Sequence, residues 1–157
     1  MTCPIRIAVQ EGDFDIGAEL DAMSAGRHDI GAIATFTGLV RDMTKAEHGK
    51  PVSAMELEHY PGMTERSLTA IAEQAAARWP LQGLTVIHRF GPLIPGDRIV
   101  LVAAASPHRK AAFDAAQFVM DYLKTKAPFW KKETTPEGAA WVDAREDDDK
   151  AAARWGG

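Results

Sequence analysis

The sequence predicts an α+β domain, with helices packed on a mixed, largely antiparallel sheet. Three observations lead there. Alternating or β-branched stretches recur along the chain, several joined only by short Gly/Pro-rich links that suit antiparallel neighbours. Two longer segments repeat apolar residues at spacings of three and four, the helical period. The third is the make-up of the 157 residues, 46% hydrophobic and 25% charged, which is that of a soluble chain with one sizeable core.

Ile5 to Val9 alternates weakly and reads as a strand, and Asp15 to Ala25 as a helix ending near Gly26. Ile30 to Thr37 is β-branched and aromatic, a strand running into Gly38-Leu39-Val40-Arg41, so Arg41 falls at or just beyond a strand end. Asp42 to Pro51 is polar and reads as a mobile loop. Val52 to Tyr60 alternates, with Met55, Leu57 and His59 on one face and Glu56 and Glu58 on the other. Pro61-Gly62 breaks it. Leu68, Ile71, Ala72, Ala75 and Trp79 then mark an amphipathic helix that stops before Pro80.

Leu84 to Phe90 and Arg98 to Ala105 read as strands joined by the turn-rich Gly91 to Asp97. Ile99 to Val102 is continuously apolar, so both faces of that strand are expected to be buried. The next helix runs from Pro107 to about Lys126, with Ser106 as its N-cap. Its polar stripe is Lys110, Asp114, Gln117, Asp121 and Lys124. Phe113, Ala116, Val119, Met120 and Leu123 form an apolar coat wide enough for a core on one side and a second surface on the other. Phe129 to Thr134 is a further strand, Pro136-Glu137-Gly138 a turn, and Trp141 and Val142 are expected to dock. One catalytic domain over 1–145 is expected, followed by an acidic, alanine-rich and flexible tail, 146–157.

The net charge of -4 opposes general affinity for nucleic acid, yet Lys124, Lys126, Lys131 and Lys132 cluster just before the acidic tail, which favours a small anionic ligand. No stretch approaches the ~20 apolar residues of a membrane span, and Met1-Thr2-Cys3-Pro4 opens no signal peptide, so the cytoplasm is expected. Cys3, the single cysteine, has no disulfide or zinc partner. His, Cys and carboxylates show no metal-ligand spacing, and the phosphate-loop, dinucleotide and nucleophile-elbow motifs are missing. His59 and His88, on strands, read as structural histidines.

The chemistry concentrates around the long helix. His108 and Arg109 lie in its first turn, where free backbone N–H groups and the positive end of the dipole make an anion site. Lys124 ends the same helix, ~24 Å from His108 at 1.5 Å per residue, and Lys131 follows after a short turn. Two close ammonium groups beside Phe129 or Met120 repel, which poises one as base or nucleophile. Each feature also has an ordinary explanation, in a solvated Arg109 and in a Lys124 paired with Asp121. If both helix ends serve one small ligand, they come from two copies of the chain about a twofold axis.

The chain as a whole resembles the large, catalytic subunit family of molybdopterin synthase. The resemblance rests on Thr35-Phe36-Thr37-Gly38 with Val40-Arg41, Leu57-Glu58-His59-Tyr60-Pro61-Gly62-Met63-Thr64, and Val86-Ile87-His88-Arg89 with Pro95-Gly96-Asp97. It continues through His108-Arg109 and Met120 to Thr125 into Ala127-Pro128-Phe129-Trp130-Lys131, and spans about Ile5 to Arg154. It implies the α/β hammerhead fold of that family and a sulfur transfer without a bound cofactor. Sulfur arrives as a thiocarboxylate on the C-terminal glycine of a small ubiquitin-like carrier, and two deliveries convert cyclic pyranopterin monophosphate into the molybdopterin dithiolene. It further implies Lys124 and Lys131 as the catalytic pair, with Arg41, His108, Arg109, Lys132, Glu133 and Arg145 on the substrate. The assembly implied is a central homodimer with a carrier at each end, a heterotetramer. Leu39 stands where relatives often have lysine, and Gly156-Gly157 repeats the carriers' terminal dipeptide with no ubiquitin-like domain before it. The alternative is a non-catalytic anion-binding or scaffolding subunit of such a complex.

Overall fold

The computed structural model describes residues 3–41, 54–127, 129–135 and 138–142, together with 150, 152, 153 and 155; for 54, 130–135 and 138–142 it describes the backbone alone. The eight strands and three helices found there run in the order β1 (Ile5–Gln10), α1 (Ile16–Ser24), β2 (Ala32–Leu39), β3 (Ala54–His59), α2 (Met63–Arg78), β4 (Gly83–Arg89), β5 (Gly91–Leu93), β6 (Arg98–Ser106), α3 (Arg109–Lys126), β7 (Phe129–Thr135) and β8 (Gly138–Val142).

The α+β class is as expected, but the strands divide between two sheets, β1-β4-β6-β2 and β5-β3-β7-β8. The first is mixed: β1 runs parallel to β4, and β4 and β2 flank β6 antiparallel. The second is antiparallel throughout. Because β6 is one of the two inner strands and carries apolar residues at successive positions, it is buried on both faces. Val100, Val102 and Ala104 join Val86, Leu84 and Ala34 beneath α2 and α3. Leu101 and Ile87 point the other way, onto Phe14 and the start of α1.

Helix α2 buries Leu68, Ile71, Ala72 and Ala75, the residues its sequence spacing singles out. Gly62, at its N-cap with φ 82°, takes a backbone shape that side chains disfavour, and its N–H donates to the Glu65 carboxylate at 3.1 Å. A smaller cluster of Val40, Met55, Leu57 and Leu93, with Phe90 and Ile99 against it, fills the seam between the two sheets. Among the described residues no helix is long and apolar enough to cross a membrane.

Three expectations need correction. Ser106 does not cap α3: it ends β6, fully buried, and its hydroxyl accepts from the His108 N–H at 3.4 Å, so His108 itself is the N-cap. The approach of Gly31 makes that link tight, since a Cβ there would lie 2.0 Å from the Pro107 carbonyl oxygen. The apolar coat of α3 is largely consumed by the chain's own core, Val119, Met120 and Leu123 being buried, while Phe113 remains 64% exposed. The tail is not loose at Ala152 and Trp155, where Ala152 is buried and the Trp155 ring meets Trp79 and Phe118 edge-on at 5.6 and 5.7 Å. The Arg78 guanidinium lies over all three rings and donates to the Trp155 carbonyl at 3.0 Å. Aromatic area and this cation contact hold the segment that its acidic composition argued against.

Candidate active site

Helix α3 leaves β6 through a two-residue link and packs back along β6 and β2, so its C-terminal end returns to the beginning of β6. That geometry sorts the candidate residues into two groups. Leu39, two residues before Arg41, pairs with Arg98 at the start of β6, and His88 pairs with Val100. Arg41 and Lys124 therefore belong to the same end of the sheet, both exposed. His108 and Arg109, also exposed, lie at the other end of α3, about 22–24 Å from Lys124 by helical rise.

The Lys124 end is also where the second sheet joins. The chain turns at Ala127, whose carbonyl accepts from the Phe129 N–H at 2.9 Å, and enters β7. There Lys131, Lys132 and Glu133 pair with Leu57, Glu56 and Met55 of β3. Lys124 and the backbone of Lys131 are thus brought to one seam, whereas His108 and Arg109 of the same chain are not. Side chains of Lys131, Lys132 and Glu133, and the whole of Arg145, lie outside the described residues.

The seam holds two histidines that sequence reading left as structural. His88 is 6% exposed, and its ring stacks on Phe129 with centroids 3.8 Å apart and planes 20° from parallel. Its Nδ1 lies 2.8 Å from the Arg89 carbonyl oxygen. A carbonyl only accepts, so Nδ1 carries the proton and Nε2 keeps its lone pair. Burial pushes the imidazole down to about 4, with the nearby charges of Lys124 and His59 adding to the effect against the Arg89 hydrogen bond. The His59 ring lies 4.1 Å from that of Phe90, tilted by 37°, and His59 sits opposite Phe129 in the strand register. The signal that could have found His88 is its place in a strand buried along almost its whole length.

Elsewhere, an open groove of about 400 Å³ lined by Cys3, Ile5, Glu73, Trp79 and Leu81 lies at the β1 edge. Burial raises the Cys3 thiol pKa, which suits an inert cysteine. Among the described residues no group of His, Cys, Asp and Glu can hold a metal ion.

The fold and site define a two-sheet α+β protein that gathers basic residues at the seam and sets a second cationic point one helix length away. The profile of the MoaE protein family matches residues 9–126, and the chain belongs to that family. A molybdopterin synthase catalytic subunit of Ralstonia nicotianae is 60% identical over 150 residues, covering 96% of this chain and 84% of the relative. The solved molybdopterin biosynthesis MoaE protein of Burkholderia ambifaria superposes with a TM-score of 0.82 at 53% identity, covering 100% of this chain and 99% of that one. A molybdopterin synthase structure from Staphylococcus aureus matches with a TM-score of 0.78 at 31% identity, covering 87% and 96%.

Proposed function

We propose that the chain is the large, catalytic subunit of molybdopterin synthase and moves sulfur from a carrier thiocarboxylate to cyclic pyranopterin monophosphate in the cytoplasm. The observation that carries this reading is the meeting of the α3 end bearing Lys124 with the β7 strand bearing Lys131, in a chain of the MoaE family. Two amines at one pocket repel as ammonium ions, so one gives up its proton more readily and serves as base or nucleophile. The other stays charged and stabilises negative charge that develops on oxygen. Each delivery leaves the carrier as a carboxylate, and the sulfur arrives covalently, so the reaction needs no bound cofactor.

Arg41 stands at the lysine end and is assigned to the substrate's anionic part, with Lys132, Glu133 and Arg145 as further pocket residues. His108 and Arg109 face the wrong end of α3 for the same pocket, so they serve the site of a second copy, and the working unit is a homodimer with one ubiquitin-like carrier at each end. The deciding experiment is turnover of cyclic pyranopterin monophosphate by the complex with thiocarboxylated carrier. Lys124→Ala and Lys131→Ala are expected to abolish product while retaining carrier binding. Intact product formation in both variants would sink the enzyme reading in favour of a scaffolding subunit.

A further inference from the structure

We infer that His88 is a positioning residue for the lysine pair: clamped between the Arg89 carbonyl and the Phe129 ring, it sets β7, and with it Lys131, against the end of α3 that carries Lys124. The inference rests on the sulfur-transfer reading above for its consequence, though not for its geometry. Lys124 belongs to a helix packed on the first sheet, and Lys131 to a strand of the second. These two bodies are joined near the lysines by the stack of His88, from β4, on Phe129, from β7. Phe129 is two residues from Lys131, so a shift of that ring is passed along the strand within a single pleat repeat.

The ring is suited to this in a way that an aliphatic residue is not. Its one N–H is fixed by a backbone carbonyl, which sets the rotation of the imidazole, and its flat face then sets the plane of Phe129. The charged and titratable groups facing it are Lys124 from α3 and His59 from β3, with Arg89 next to it on its own strand. A neutral His88 adds no second cation beside Lys124. Its removal therefore acts on the lysines through spacing rather than through loss of a charge.

The test follows the lysines directly. Protein carrying ¹³C-dimethylated amines is titrated by NMR, with the Lys124 and Lys131 resonances assigned by Lys→Arg substitution, for wild type, His88→Ala and His88→Phe. His88→Ala is expected to move the midpoints of the pair by about half a pH unit or more, and His88→Phe, which keeps a stacked ring, to bring them back toward wild type. In the turnover assay His88→Ala lowers kcat by about ten- to a hundredfold, with KM for the pterin within about twofold and the pH profile of kcat shifted in the same sense as the midpoints. A protein that had merely lost folded material would show a smaller amplitude on an unshifted profile. Lysine midpoints unchanged in a folded His88→Ala protein overturn the inference. If that variant does not fold, His88→Asn, which keeps a donor for Arg89 but has no ring, is read in its place. Wild-type protein that fails to turn over the pterin overturns the sulfur-transfer reading, while the titration still decides the role of His88.

Discussion

The indole N–H of Trp155 donates to the carboxylate of Asp121, a residue 6% exposed on α3 and three positions before Lys124. The Gln117 side chain donates to the other carboxylate oxygen at 2.9 Å. A C-terminal residue thereby braces the helix that supplies one of the proposed catalytic groups. Trp155→Ala removes both the aromatic packing and this donor, and is expected to lower stability by about 2–4 kcal/mol. Trp155→Phe keeps most of the packing and should cost about 1 kcal/mol. Urea denaturation curves of the two variants distinguish these values, and a Trp155→Phe protein as stable as wild type would show that the hydrogen bond contributes nothing.

Acid should destabilise the protein through His88. Burial holds the imidazole down at about 4, against an ordinary value of 6.5. Between those values the unfolded chain binds a proton that the folded chain excludes, so stability is complete above about 6.5 and falls as pH drops toward 4. A shift of this size corresponds to about 3 kcal/mol. Denaturation midpoints at pH 7 and pH 4.5 should differ markedly less in His88→Phe than in wild type.

If each pocket takes its lysines from one chain and His108 and Arg109 from another, two inactive variants rescue each other. Lys124→Ala mixed with Arg109→Ala, dissociated and reassembled, should recover about a quarter of wild-type turnover, since half of the random dimers carry one intact site of two. A pocket built within one chain gives no recovery.

Substituting the lysines by arginine tests their chemistry rather than their charge. Lys124→Arg and Lys131→Arg keep a cation but lose an amine that can be deprotonated near neutral pH, and each should lower kcat by about a hundredfold or more. Activity near wild type in either variant would leave that lysine as a binding group.

The link into α3 is sensitive to a single methyl group. Gly31→Ala places a Cβ against the Pro107 carbonyl oxygen, and backbone must move because no flexible side chain is there to yield. A loss of about 1–3 kcal/mol is expected in thermal or urea unfolding.

Much of this arrangement was legible in the residues themselves. The spacing of Leu68, Ile71, Ala72 and Ala75 named the buried face of α2, and Met55 and Leu57 named that of β3, because local periodicity and burial have one cause. The division into two sheets was not legible, since strand partners are set by contacts distant in sequence: Ile5 pairs with Leu84, and Leu57 with Lys131. β5 escaped because Gly91-Pro92-Leu93 has turn composition and becomes a strand only by pairing with Met55 to Leu57. The cap of α3 moved from Ser106 to His108 because pairing with Ala32 carries β6 through Ser106, a tertiary demand that outweighs a local preference. At the site, Lys124 stands in the last turn of α3 and the Lys131 backbone in β7, which follows it, while His108 and Arg109 stand at the opposite end of α3. His88 is the buried, hydrogen-bonded histidine that its strand suggested, but a lone histidine there carries no local sign of the distant ring it stacks on.

Between β2 and β7 the chain passes from one sheet to the other five times. Neither sheet is therefore a continuous piece of sequence, and no cut between elements releases either one whole. The two layers must be completed together, since β1 waits for β4 and β3 waits for β7. Amide exchange should accordingly find no partly unfolded form that keeps one sheet intact, and the seam bearing the lysines opens only when the whole domain does.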